Sequence, residues 1–197
     1  MLTNRFKINY SVGSIANGVK TDTFTFFLLF FYSNIIGLNP GLAGTAIFIA
    51  LCVDAFTDPL MGTISDRTNT SFGRRHPYMF ISFIPMSLGY IFLFAPRQEW
   101  DMSQSDLFVW MTIFTILTRI GMTLFDIPHR AFGGEITKNY NERTLLMSWR
   151  EMFAWVAGLS NAFLGYGVFF ASTPEFPQGQ LNPDAWFPFA LTGALIM

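Results

Sequence analysis

The stretch CVDAFTDPLMGTISDRTNTSFGRRHPYM, Cys52 to Met79, decides the fold. It opens inside a long apolar run and then breaks into a short loop that carries Arg67, Arg74 and Arg75. The run containing its first half, near Gly41–Ile64, has the length needed to cross a bilayer, about 20 mostly apolar residues. A second apolar run starts at Pro77. Two apolar runs joined by a basic turn predict a pair of spanning helices whose connection is cytoplasmic, because Lys and Arg collect in cytoplasmic loops.

The same reading extends outward in both directions. Spans are expected near Tyr10–Ser33, Gly41–Ile64, Pro77–Ala95, Leu107–Phe132 and Leu145–Ala171. A sixth begins near Trp186 and reaches Met197 too soon to span, so residues 1–197 are expected to be one membrane-embedded unit of a longer protein. Arg5 and Lys7, then the Arg67–Arg75 loop, then Lys138 and Arg143 fall on one side. The opposite loops hold only Arg97 among basic residues, which places the N-terminus in the cytoplasm.

Composition agrees with an all-α polytopic membrane protein. Of 197 residues 51% are hydrophobic, 24 are Phe and only 13% are charged, where soluble domains carry roughly 25%. A net charge of −1 gives no basic footprint for nucleic acid. The single Cys52 excludes a disulfide framework or a cysteine metal site. No Gly-rich phosphate loop is present, which argues against ATP-driven transport by this chain, and no cofactor is expected.

Against this background the charges inside the spans stand out. Such residues are costly in a membrane and face a bundle interior or a wet cavity. Asp54 and Asp58 are four residues apart and share one helix face, with Thr57 beside them. Two such carboxylates repel unless a cation or a proton sits between them, and a hard cation such as Na⁺ favours oxygen ligands. Arg119, Thr123 and Asp126 form one polar stripe on the fourth span. Lys20 and Asp22, two residues apart on the first span, point roughly 200° from each other. Asn17 shares the arc of Lys20, and Gly18 that of Asp22. Four buried carboxylates, Asp22, Asp54, Asp58 and Asp126, outnumber Lys20, Arg119 and Arg150, so a bound cation or proton is expected to complete the interior.

The loop GTISDRTNTSFGRR resembles the signature between the second and third helices of the major facilitator superfamily, through Gly62, Asp66, Arg67, Gly73, Arg74 and Arg75. DAFTDPLMG followed by SDRT and GRRHPY, with RIGMTLFDIPHRAFGGEITKNYNERTLLMSWR from Arg119 to Arg150, is similar to the glycoside–pentoside–hexuronide:cation symporters, the melibiose permease relatives. The resemblance implies the N-terminal six-helix half of a twelve-helix transporter, multi-pass in the plasma (inner) membrane, working by alternating access with a second half outside this chain. It implies cation-coupled symport, by Na⁺ or H⁺, of a sugar or glycoside. By motif, Asp54, Asp58, Thr57 and Thr123 stand at cation-site positions, and Asp126 and Arg150 at the sugar site. Asn17, Lys20, Asp22 and Arg119 are further candidates for substrate contact, and the Asp66–Arg75 hairpin for a conformational latch. The chain departs from the melibiose permeases where their first-helix Lys-Asp pair aligns with Asn17 and Gly18, and where Arg130 replaces a sugar-stacking Trp. A non-sugar cargo, including an amphipathic lipid-like one, and a non-transporting sensor are the alternatives on the same scaffold. An intramembrane aspartyl protease would need a Gly-x-Gly-Asp motif that the chain lacks.

Overall fold

The computed structural model describes residues 2–197, and their regular structure is helical throughout. Nine α-helices follow in chain order: α1 (Asn4–Val12), α2 (Ile15–Asp22), α3 (Leu28–Phe30), α4 (Pro40–Arg67), α5 (His76–Ile81), α6 (Phe83–Leu93), α7 (Gln104–Ile136), α8 (Tyr140–Leu164) and α9 (Trp186–Ile196). The boundaries have local causes. Gly37, at φ +85, closes the first helical unit, and Asn39 caps α4 ahead of Pro40 in the first turn. Ser103 and Asp106 form a reciprocal capping box at the start of α7.

Four helical stretches are long and apolar enough to cross a membrane: Pro40–Arg67, His76–Leu93, Gln104–Ile136 and Tyr140–Phe169. The expected first span, Tyr10–Ser33, is not one continuous α-helix. α1 and α2 are separated at Gly13–Ser14, and π-helical turns occupy Thr23–Phe27 and Phe31–Ile36 around α3. The Thr25 hydroxyl donates to the Thr21 carbonyl at 2.8 Å, a contact that bends helices by competing for the backbone acceptor. The third span is interrupted at Ser82, whose hydroxyl bonds back to the Met79 carbonyl. The fourth runs through Pro128 to Ile136, past the expected Phe132. The sixth segment, α9, has only 11 residues.

Packing explains how the charged residues meet. α4 and α6 both lie along α7, while α2 lies along α8. Gly18 on α2 makes the last contact possible: a Cβ there would collide with the Ala154 carbonyl of α8, and small residues are what allow membrane helices to approach this closely. Position 18 therefore has no room for a carboxylate side chain. Gly18→Val should push α2 off α8 and lower the thermal unfolding midpoint in detergent, at a cost of about 1–3 kcal/mol or more. An unchanged midpoint would show that the two helices separate freely.

At the end of the bundle away from the 68–75 loop, Phe27, Phe31, Phe94, Phe170, Trp186 and Phe189 form a buried aromatic core. The run TFTFFLLFFY thus packs helices with most of its rings. The outer faces remain apolar, with Phe48, Phe56, Phe80, Phe163 and Leu195 exposed. A polar seam inside and an apolar surface outside fit a multi-pass membrane protein.

The 68–75 loop is a tight hairpin with Gly73 at φ +91, a conformation that favours glycine. Arg75 is buried and donates to Asp66 at 2.8 Å and to Glu135 at 2.9 Å. Arg74 reaches Glu135 at 3.0 Å. The hairpin thereby pins the ends of α4 and α5 to the end of α7. Arg67 lies exposed at the end of α4 and takes no part in these pairs. The nearest atom to a Cβ built on Gly62 is an Ile127 methyl at 3.8 Å, so α4 runs past α7 there in ordinary contact.

Candidate functional site

The α4–α7 contact carries the two carboxylates of α4 onto the polar stripe of α7. Arg119 grips Asp54 through one oxygen only: Nη2 lies 2.5 Å and Nε 2.7 Å from Oδ2. The other oxygen, Asp54 Oδ1, is buried without a hydrogen-bond partner. One turn along, Thr123 donates its hydroxyl to Asp58 Oδ1 at 2.7 Å. Among the described residues Asp58 forms no ion pair. The two carboxylates therefore differ, since Asp54 is neutralised by a guanidinium and Asp58 is held by a hydroxyl alone.

A second charged cluster ties α7 to α8. Asp126 receives Arg150 Nη2 on Oδ1 and Arg130 Nε on Oδ2, the latter at 2.6 Å. Arg150 is 2% exposed and also donates through Nη1 to Glu151 at 2.8 Å. Asp126 is thus shared by a buried and a half-exposed guanidinium.

Both clusters border one cleft of ≈ 170 Å³, lined by Asn17, Lys20, Asp54, Asp58, Arg119, Thr123, Asp126 and Arg130, with Met122 and Ile127 as its apolar part. Lys20 is a cation of this cleft that forms no ion pair among the described residues. Its ammonium and the Arg119 guanidinium lie 6.0 and 5.9 Å from the Phe24 ring, whose π face attracts cations.

Two candidates fall elsewhere. Asp22 leaves this cleft and packs against α8, where the absent side chain of Gly158 makes room for its carboxylate. The reason is the angular offset from Lys20 on the same helix. Thr57 is not part of the lining; its hydroxyl is buried without a partner between Asp54 and Asp58 in the chain. Arg119, a candidate for substrate contact, is engaged by Asp54.

Sequence reasoning did not assign Arg130, Glu151, Glu135 or Phe24 to the site or the hairpin. Two of them carried a signal in their spacing. Arg130 stands four residues after Asp126, and Phe24 four after Lys20, which puts each pair on one helix face. His129 is structural: it is buried, stacks on Tyr10 at 4.3 Å, and bonds the Tyr10 carbonyl at 3.0 Å, while the Tyr10 hydroxyl returns a bond to the His129 carbonyl. Among the described residues no group of three His, Cys, Asp or Glu could hold a metal ion on those side chains alone.

Residues 9–197 match the family model described as MFS/sugar transport protein, and the chain belongs to this family. It is 33% identical over 179 residues to an uncharacterised symporter of Synechocystis, covering 89% of this chain and 33% of that protein. It is 30% identical to the inner membrane symporter YicJ of Escherichia coli, covering 83% of this chain and 35% of that one. It is 33% identical to the putative glycoside/cation symporter YagG of the same bacterium, covering 81% and 34%. The chain spans about a third of the length of these relatives. The family and these relatives are named for transport, not for enzymatic activity.

Proposed function

We propose that the protein is a secondary transporter that couples a cation, Na⁺ or H⁺, to the uptake of a sugar or glycoside by alternating access, with its N-terminus in the cytoplasm of a plasma (inner) membrane. The observation that carries this reading is Asp58: a carboxylate inside a membrane bundle that faces a polar cleft, accepts a threonine hydroxyl and forms no ion pair among the described residues. A Na⁺ ion as co-transported cargo would take Asp58, Asp54 Oδ1 and the Thr123 hydroxyl, a set of hard oxygen donors, with Thr57 close in sequence. A proton would neutralise the same carboxylate.

The substrate would lie on the Asp126 side of the cleft. Carboxylate and guanidinium groups there suit hydroxyl-rich ligands because charge-assisted hydrogen bonds are strong. Lys20, Asn17 and Arg130 border the same space. The relative named as a putative glycoside/cation symporter supports this choice of cargo. Coupling then has a physical form: cation binding settles the charge at Asp58, substrate binding engages Asp126 and Arg150, and each raises the affinity of the other by the same factor. The opposite wall of the site would come from a second half that rocks against this one, and the Arg75 hairpin would hold this half rigid on the cytoplasmic side.

Calorimetric titration of Na⁺ into the complete protein tests the reading. Saturable heat is expected, with affinity reduced about tenfold in Thr123→Val, roughly 1.4 kcal/mol. Proton release on adding sugars, with no sodium heat, would make H⁺ the coupling ion. Silence in both would overturn the assignment of a cation site.

A further inference from the structure

Asp54 is the cleft carboxylate that already has a cation beside it, and that cation belongs to the protein. Arg119 places Nη2 at 2.5 Å and Nε at 2.7 Å from Asp54 Oδ2. Asp54 Oδ1 is buried without a hydrogen-bond partner. Asp58 and Thr123 stand four residues further along α4 and α7, and they too are joined, at 2.7 Å. The two helices therefore run parallel here, and the two pairs form successive rungs, about 6 Å apart along the axis. The Phe24 ring, 5.9 Å from the Arg119 guanidinium, also attracts it.

The side chains that line the cleft balance in charge. Lys20, Arg119 and Arg130 stand against Asp54, Asp58 and Asp126. Arg150, which also holds Asp126, is shared with Glu151. The excess of carboxylates expected from the sequence does not persist in this space, because Asp22 borders another cleft and Arg130 joins this one. A cation at Asp58 and Asp54 Oδ1 thus gives the lining a surplus positive charge, one rung from a guanidinium. Charges this close interact strongly where the effective dielectric is well below that of water. Arg119 therefore cancels, at the position of the ion, much of the attraction that Asp54 exerts there. It does so without blocking the site, because it binds Oδ2 and leaves Oδ1 and the Thr123 rung to the ion.

We infer that Arg119 sets the cation affinity of the site: it is a built-in counter-ion of Asp54 that keeps the coupling cation weakly bound, and so releasable, at Asp58. The inference rests on the cation-site reading above and adds to it the charge that tunes the site. Transport needs an ion to be held firmly enough to enter and weakly enough to leave.

Calorimetric titration of Na⁺ into the complete protein, at fixed pH and ionic strength, tests the inference. Arg119→Gln should raise sodium affinity by about tenfold or more, because Asp54 regains its charge while glutamine keeps a donor for Oδ2. Arg119→Lys keeps the charge and should stay within about threefold of the unmodified protein. A second comparison keeps the test valid if Arg119→Gln does not fold. Asp54→Asn leaves the guanidinium uncompensated and should weaken sodium binding by about tenfold or more. The double variant Asp54→Asn, Arg119→Gln removes both charges and should recover the affinity lost in Asp54→Asn. Thermal unfolding without sodium reads any bracing role separately. A lowered midpoint in Arg119→Gln with unchanged sodium affinity makes Arg119 a brace between α4 and α7 and overturns the inference. Weaker sodium binding in Arg119→Gln, or no recovery in the double variant, overturns it as well. If neither the unmodified protein nor any variant binds sodium, the sodium site itself falls and the inference with it.

Discussion

Replacing Asp58 by asparagine is expected to lower cation-dependent uptake by about 100-fold or more, on the order of 3 kcal/mol, while the protein remains folded. The size follows from the asymmetry of the two α4 carboxylates. Asp54 is already matched by Arg119 through two nitrogens on one oxygen, so its charge is largely spent inside the bundle. Asp58 accepts a single hydroxyl and forms no ion pair among the described residues, so no protein cation competes with an ion for it. Asparagine keeps the size of the side chain and an acceptor for Thr123 at a half-buried position that makes no ion pair among the described residues, so folding should be close to neutral. Asp54→Asn should behave oppositely in stability, because it strands a mostly buried Arg119 guanidinium that is 14% exposed. Uptake into vesicles with and without a cation gradient, run beside thermal unfolding of each variant, separates the two carboxylates. Normal gradient-driven uptake in Asp58→Asn would remove the residue from the coupling mechanism.

The sequence made the scaffold legible where the signal was periodic and long. Apolar runs of spanning length on either side of the Arg67–Arg75 loop marked the second to fifth helices, because a membrane helix must satisfy its backbone internally and must be apolar on its surface. The i, i+4, i+7 spacing of Arg119, Thr123 and Asp126 put those side chains on one face, and the structure lines one cleft with all three. The offset of Lys20 from Asp22 was legible too, and they border different clefts. What could not be read was partner choice. Asp54 selects Arg119, and Asp126 selects Arg150 and Arg130, only because α7 lies between α4 and α8, and the order of helices around a bundle is not written in any one helix. The broken first unit was hidden for another reason. Its hydrophobic run is continuous, while side chains take backbone carbonyls at both π turns, Thr25 that of Thr21 and Asn34 that of Phe30, beside ring packing in the aromatic core. Those are tertiary causes acting on a helix-compatible sequence.

The Asp126–Arg150 pair gives the other large effect, and single and double substitutions separate its structural from its functional part. Arg150→Ala removes a nearly buried guanidinium that serves two carboxylates on two helices. Asp126 is then left with Arg130, whose side chain is 52% exposed. Breaking a buried pair by deleting one member costs about 3–5 kcal/mol, so this variant should unfold many degrees below the parent protein. Asp126→Asn should cost less, because Arg150 keeps Glu151 as a partner. The double variant Asp126→Asn, Arg150→Gln removes both charges together and should recover part of the stability lost in Arg150→Ala. If the pair also binds the substrate, the double variant will fold and still fail to transport, since neutral amides cannot supply the charge-assisted bonds that a hydroxyl-rich ligand would use. Thermal unfolding ranks the stabilities, and equilibrium sugar binding in saturating cation reads the site itself. A double variant that regains stability and binding together would reduce the pair to a brace between α7 and α8, and the substrate would then have to be held by Lys20, Asn17 and Arg130 along the rest of the cleft.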